Sequence, residues 1–327
     1  MIAAFLLALA VAAPRPGELR TFADWTVGCD NGRVCQAVAL LPEDGADGAT
    51  LTIERGPQAN AAPVIWVTVR VEGMQSPEAL LIDGIRFALQ LDPATETLRV
   101  RDGLAAGRLL GQATSISAVG PGASSRIPVS ARGSAAALLH MDAEQRRIDT
   151  TGALVRRGPA TRVPPPPTLP VVISPRAPGK PARSLTPTRV RQLLGRETTT
   201  CEYANELSIE GYRLDARNSL VLAAHPCGNG AYNLFSTAWI VSENGRVRAA
   251  GFDASGGMGE GSSLVNAGWD PQTRLLSTYA KGRGLGDCGT IQSFAWDGTR
   301  FRLVEQSVMG ECRGSTDYIT TWRAEVR

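Results

Sequence analysis

Lysine is almost missing from this chain. Of its 34 basic residues only Lys180 and Lys281 are lysine, and the rest are arginine. Histidine is as scarce: His140 and His225 stand alone, so a Cys/His zinc site would have to recruit distant partners. No C-x-x-C pair occurs, which removes the usual redox and zinc spacings. G-x-S-x-G, H-E-x-x-H, P-loop and G-x-G-x-x-G signatures are also missing. The common hydrolase, metalloprotease and nucleotide-binding signatures are thereby excluded, and no cofactor is expected. No segment beyond the N-terminus approaches the ~20 apolar residues of a membrane span, so no transmembrane segment is expected in the mature chain.

Charge is absent from Met1 to Ala13. That run is too short to cross a bilayer and ends in small residues, so residues 1–13 read as a secretory signal peptide. Ala10-Val11-Ala12 is the expected cleavage triplet. No Lys or Arg precedes the run, so its positive end is either the terminal amine or lies upstream of this start, and no cysteine follows it for lipid attachment. The expected location is periplasmic or secreted.

What is present fits export. The six cysteines fall in three sequence-local pairs and could pair in 15 ways. In an oxidising compartment they read as disulfides Cys29–Cys35, Cys201–Cys227 and Cys288–Cys312. "VGCDNGRVC" reads as a tight hairpin closed by a disulfide, with Asp30-Asn31-Gly32 as its turn. An exposed binding edge at Asp30 and Asn31 is the alternative reading.

The predicted fold is mainly β: two sandwich-like or meander-like domains with a few short helices, joined by a proline-rich linker. The first spans 14–158. "TLTIERG", "PVIWVTVRV", "TLRVRDG" and a hairpin in "ALLIDGIRFALQLD" read as strands. Arg126–Ser130 is expected as a strand, Ser134–Arg147 as a helix with Ser134 as N-cap, and "TGALVRRG" as a closing strand. Residues 159–183 hold four consecutive prolines, Pro164 to Pro167, which suit a stiff polyproline spacer. The second domain, 184–327, opens with a helix in "TPTRVRQLLGRE" and continues as hairpins with two of the disulfides. Trp269-Asp270 and Trp296-Asp297 mark a weak repeat of aromatic, Asp, turn and strand.

Several of these segments resemble a known group. "FADWTVGCDN", "SAAALLHMDAEQRRIDTTGALVRRG", "CGNGAYN", "GLGDCGTIQSFAWDGTRFRLVEQSVMGECRG" and "TWRAEV" are similar to uncharacterised proteobacterial proteins of about this length with six cysteines, classed as a domain of unknown function. The N-terminal part more loosely resembles the invasion-associated locus B family of exported proteins, with Gly133-Ser134 where that family has a glycine–aromatic pair. The resemblance implies an exported, disulfide-bearing, mostly β protein, and transfers no catalytic residue.

Charge supplies the strongest functional clue. From Arg156 to Arg196 there are nine basic residues and no acid, although the chain as a whole carries only +3. On a stiff spacer these cations would attract anions. Arg156, Arg157, Arg162, Arg176, Lys180 and Arg183 are therefore candidate binding residues. Outside the cytoplasm the expected anions are lipopolysaccharide, peptidoglycan and acidic phospholipid rather than nucleic acid; an envelope protein is the other expected partner. Asp142, Gln145 and Arg146, at helical spacing, form a second candidate for a polar ligand or a helix-to-sheet cluster. Trp269, Trp296 and Trp322 could stack on sugars or fill the core. His225 beside Cys227 would serve as a catalytic pair only if the thiol were free. Asp253 and Glu260, in a glycine-rich loop, could meet a calcium ion or the loop could be a plain surface turn. The function expected is a non-catalytic envelope-binding protein. The alternatives are a hydrolase acting through Asp142 or Asp253, and an inhibitor of a foreign hydrolase using the loop around Asp287.

Overall fold

A computed structural model describes residues 13–43, 48–71, 76–121, 125–196, 198–253 and 263–327. The expected signal segment up to residue 12, and Glu260 with most of its glycine-rich loop, lie outside the described residues.

The chain is mainly β. Its first half forms β1 (Arg20–Phe22), β2 (Trp25–Cys29), β3 (Cys35–Ala39), β4 (Gly48–Arg55) and β5 (Val64–Arg70). Then come β6 (Ala79–Ile82), β7 (Ile85–Asp92), β8 (Thr97–Val100), α1 (Gly103–Leu110), β9 (Ile116–Val119), β10 (Arg126–Val129) and α2 (Ser134–Glu144). The ten strands make one sheet in the order β1-β2-β3-β4-β5-β8-β7-β6-β9-β10. Short turns set its antiparallel pairing. Asp83 and Gly84 take φ of 46° and 81°, as a two-residue hairpin requires. The Asp83 carboxylate accepts from the amides of Thr114 and Ser115, tying that turn to β9. The sheet curls so that β10 lies against β4, while α2 covers β1, β2 and β3. Alternating apolar residues, Leu51, Ile53, Ile65, Leu80 and Ile82, enclose a core with Trp25, Leu138 and Met141.

Three local expectations are corrected. Ser134 is not the N-cap of α2: Gly133 caps it at φ 99°, and Ser134 is buried inside the first turn. A side chain at Gly133 would place its Cβ 1.8 Å from the Phe22 carbonyl oxygen, so glycine lets the helix start against β1. "TGALVRRG" is not a strand, because the Leu154 and Val155 amides donate to the Asp142 carboxylate instead of a neighbouring strand. Helix α1 is additional; Gly103 and Gly107 within it weaken its sequence signal.

The basic segment is not a free spacer. It contains β11 (Val171–Val172), which pairs in parallel with β22 (Glu325–Val326) at the far end of the chain. Ser174 N donates to Arg327 O at 2.8 Å, which extends this seam. After it α3 (Pro187–Leu194) starts at Thr186, whose hydroxyl accepts from Arg189 N, and stops at Gly195.

Two five-stranded sheets follow. One contains β12 (Ser208–Arg213), β13 (Asn218–Ala224), β14 (Phe235–Ser242), β15 (Val247–Ala249) and β16 (Ser263–Val265). The other is a meander of β17 (Gly268–Asp270), β18 (Leu275–Lys281), β19 (Gly289–Trp296), β20 (Phe301–Met309) and β21 (Ile319–Arg323). Leu220, Leu222 and Ile240 of one sheet meet Leu276, Phe294, Trp296 and Leu303 of the other. The intervening Val221 and Ala223 face α3 through Val190. Strand β13 is thus buried on both faces, which explains its unbroken apolar run.

The halves meet along β21. β21 is an edge strand, and an open edge invites foreign pairing. Here Gln36 Oε1 accepts from Thr320 N, and Gly17 N donates to Thr321 O. Asn31 both accepts from Arg323 N at 2.7 Å and donates to Arg323 O at 2.9 Å. Asp30, held by Gly32 N and Val34 N, pairs with the Arg323 guanidinium. The Cys29–Cys35 hairpin therefore presents Asp30-Asn31 to the chain's own C-terminal strand. Arg313 reinforces the seam, donating to Leu41 O and to the Asp24 carboxylate.

Candidate binding groove

The basic segment places its cations in two ways. Arg156 is bidentate to Asp149, and Arg183 pairs with Glu243. Arg157, Arg162, Arg176 and Lys180 are exposed, and their side chains have no ion pair among the described residues. Arg176 differs from the other three because it lines a groove.

That groove, of 580 Å³, forms where the segment crosses the C-terminal sheets; Arg176, Tyr212, Arg213, Trp269, Pro271 and Arg274 line it. Each wall has a local cause. Arg274 closes the β17–β18 turn at φ 58°, and its Nη1 donates to the carbonyls of Ser174 and Pro175 at 3.3 and 3.1 Å. It thereby fixes the backbone just before Arg176. Asp270 stabilises the same turn by accepting from Gln272 N and the Thr273 hydroxyl, which holds its carboxyl below the usual range. Trp269 stands half-buried on β17, edge-on to Phe301 with centroids 6.3 Å apart and tilted against Tyr212 at 6.2 Å. The Tyr212 hydroxyl donates to Glu210 at 2.7 Å; burial first, and then Glu210, push its phenol up to about 12. Tyr212 therefore stays protonated at neutral pH. Arg213 is fully engaged with Glu243 and with the carbonyls of Asp215 and Ala216. The result is a rigid aromatic wall faced by guanidinium groups.

Asp142, Gln145 and Arg146 do not form one exposed face. Helix α2 ends at Glu144, and Arg146 leaves helical geometry at φ 58°, exposed. Arg147 takes the inward place expected of Arg146, wholly buried, and clamps the loop at 56–59. It donates to the carbonyls of Gly56, Gln58 and Ala59 and to Gln145 Oε1. Gln145 Nε2 donates to Arg33 O, Arg55 O and Gly56 O. Asp142, fully buried, accepts from Leu154 N and Val155 N and lies 3.6 Å from Arg55. Burial pushes Asp142 up and Arg55 down to about 10, where Arg55 is still protonated at neutral pH. Asp142, Gln145 and Arg147, without Arg146, together join helix, sheet and loop.

The remaining candidates are similarly engaged. His225 Nε2 lies 2.8 Å from the Thr237 hydroxyl; burial lowers its pKa, and the neighbouring Cys227 is oxidised. All three sequence-local disulfides are present. Asp253 accepts from Leu303 N and pairs with Arg300 and Arg302. Asp287 is buried, bidentate to Arg283, and accepts from Gly314 N. The Gly286 carbonyl accepts from the hydroxyls of Tyr279 and Tyr318. Trp296 and Trp322 donate to Asp215 and Leu303 O respectively, so both are packed into the sandwich. Tyr212, Arg213 and Arg274 escaped the sequence analysis because they come from separate hairpins, and no spacing links them.

Fold and groove define a class: a disulfide-bonded, mainly antiparallel β protein with a basic, aromatic-walled surface groove. The chain belongs to the family described as protein of unknown function DUF1176, whose model matches residues 19–325. It is also similar to the uncharacterized protein YpfG of Escherichia coli K12. The two are 30% identical over 336 residues, covering 93% of this chain and 92% of that protein. No solved structure matches. No helix among the described residues is long and apolar enough to cross a membrane.

Proposed function

We propose that this protein is exported to the cell envelope and acts there as a non-catalytic binding protein for an anionic polymer or an envelope protein. The uncharged Met1–Ala13 run and the three disulfides support export. In this reading 14–158 and 184–327 are the two folding units, and 159–183 is the recognition strap between them. The observation that carries it is the set of exposed cations, Arg157, Arg162, Arg176 and Lys180, on a segment tied to the protein surface. A pinned strap presents charge without the ordering cost of a loose tail. Each such cation near an anionic surface contributes about 1 kcal/mol, screened by salt. Lipopolysaccharide, peptidoglycan and acidic phospholipid supply the anions.

The test is co-sedimentation of the mature protein with sacculi, lipopolysaccharide and anionic liposomes at low and high salt. Salt-sensitive binding, lost when those four residues become Gln, is expected. Binding to none of the three would overturn the polymer reading.

One observation favours a second reading, an inhibitor of a foreign hydrolase. The 282–288 loop is held by the Cys288–Cys312 disulfide and the Asp287 contacts, yet it exposes 67% of Leu285 at its tip. A rigid loop with an apolar tip can enter a cleft at little ordering cost. If so, wild-type protein slows a muramidase digest of sacculi and Leu285→Glu does not; equal rates with and without protein would dismiss this reading for that enzyme class.

A further inference from the structure

We propose that the groove between Arg176 and Trp269 is a binding site for an acidic saccharide, a sugar ring bearing a carboxylate or phosphate. The inference rests on the polymer reading above and names its ligand chemistry. Three unmet donors point to it. Trp25, Trp66, Trp296 and Trp322 each donate their indole N–H to an acceptor. Trp239 and Trp269 have no acceptor for Nε1 among the described residues, but Trp239 is buried whereas Trp269 is half-buried on the groove wall, its ring held against Phe301 and Tyr212. Among the described residues the Arg176 side chain has no hydrogen-bond or ion-pair partner, and Arg274 donates only through Nη1. Arg213 and Tyr212 are already engaged and act as wall.

The ligand must meet all of these. An aromatic face takes an apolar ring face, as the C–H side of a pyranose offers, while the indole N–H suits a hydroxyl. The guanidinium fork suits a carboxylate or phosphate in bidentate geometry. A neutral sugar would leave the arginines unmatched, and a bare anion would leave the tryptophan unused. The 580 Å³ volume lies within the range of ligand sites. Two envelope sources share this chemistry: peptidoglycan glycan stripped of its stem peptides, which frees the lactyl carboxylate, and the phosphorylated core of lipopolysaccharide.

The experiment is calorimetric titration of the mature protein with oligogalacturonate, a neutral cello-oligosaccharide of equal length and polyglutamate. Oligogalacturonate should bind at least about tenfold more tightly than either control, each of which lacks one of the two features. Arg176→Gln and Trp269→Ala should each weaken it about tenfold. Trp269→Phe, which keeps the ring face, guards against a folding defect and should weaken it less. Both Arg176→Gln and Trp269→Ala binding as wild type would overturn the site while leaving the co-sedimentation reading intact. Equal affinity for polyglutamate, or no binding of oligogalacturonate, would also overturn it. Excess oligogalacturonate should displace the protein from sacculi or from lipopolysaccharide, and whichever responds is the source. Displacement from neither, with co-sedimentation itself intact, counts against the groove alone.

Discussion

Two arginine clusters in this molecule look alike in composition and differ in what they have left to offer. Around Asp142, the buried Arg55 and Arg147 donate to backbone carbonyls and Gln145, and Arg55 Nη1 lies 3.6 Å from the Asp142 carboxylate without a hydrogen bond among the described residues. Around Trp269, Arg213 and one nitrogen of Arg274 fix the walls, while Arg176 and the indole N–H are unmatched among the described residues. The first cluster holds loop, helix and sheet together. The second has its geometry set by neighbours and keeps donors free. Residue type does not separate structure from function here; whether an unmatched donor is buried among its neighbours, like Arg55 Nη1, or lines a groove does. The Trp-Asp repeat repeats the lesson. Asp270 and Asp297 both accept turn amides, but Trp296 is buried on Asp215 whereas Trp269 faces the groove.

The sharpest way to break this comparison is to cut the buried cluster. Asp142→Ala strands Arg55 and the amides of Leu154 and Val155, and should cost about 3–5 kcal/mol. A urea unfolding curve measures it, and a loss below about 1 kcal/mol would remove the contrast. Removing the Cys201–Cys227 disulfide by a double Ser substitution should cost less, about 2–4 kcal/mol for its loop. Intact mass after alkylation of the unreduced wild type should show no free thiol; more than one per chain would contradict the pairing.

The smallest effect is a pH dependence. Hydrogen bonds from Arg283 are the main cause holding Asp287 below the usual carboxylate range, against burial, which raises it. A depressed folded value stabilises the fold above the unfolded value near pH 3.9, and that stability is lost as pH falls through the folded value. The stability gap between wild type and Asp287→Asn should therefore be constant near neutrality and narrow below about pH 4. A gap that widened in acid would show that Asp287 is not held as its contacts imply.

Much of the fold was legible because its determinants are local. The hairpin in "ALLIDGIRFALQLD" turns at Asp83-Gly84, the helix in "TPTRVRQLLGRE" opens at Thr186-Pro187, and the cysteines bond to sequence neighbours. Long-range contacts were not legible. Nothing in "RRID" tells that Arg147 rather than Arg146 turns inward, since the helix stops one residue before Gln145. The proline run hid β11, whose partner lies at the far end of the chain. The groove was half visible: Arg176 stood out by charge, but Trp269 could not be told from Trp296 until Asp215 was seen to take one indole and not the other. Tyr212 and Arg274 carried no sequence signal at all.

The measurement that tests the account most directly is paired on one sample of Arg176→Gln: oligogalacturonate affinity, and the urea unfolding midpoint. A free cation at a built groove predicts about tenfold weaker binding and a stability within about 0.5 kcal/mol of wild type, as for an ordinary surface substitution. Unchanged binding with a lowered midpoint would make Arg176 one more structural arginine, and would contradict the division between the two clusters.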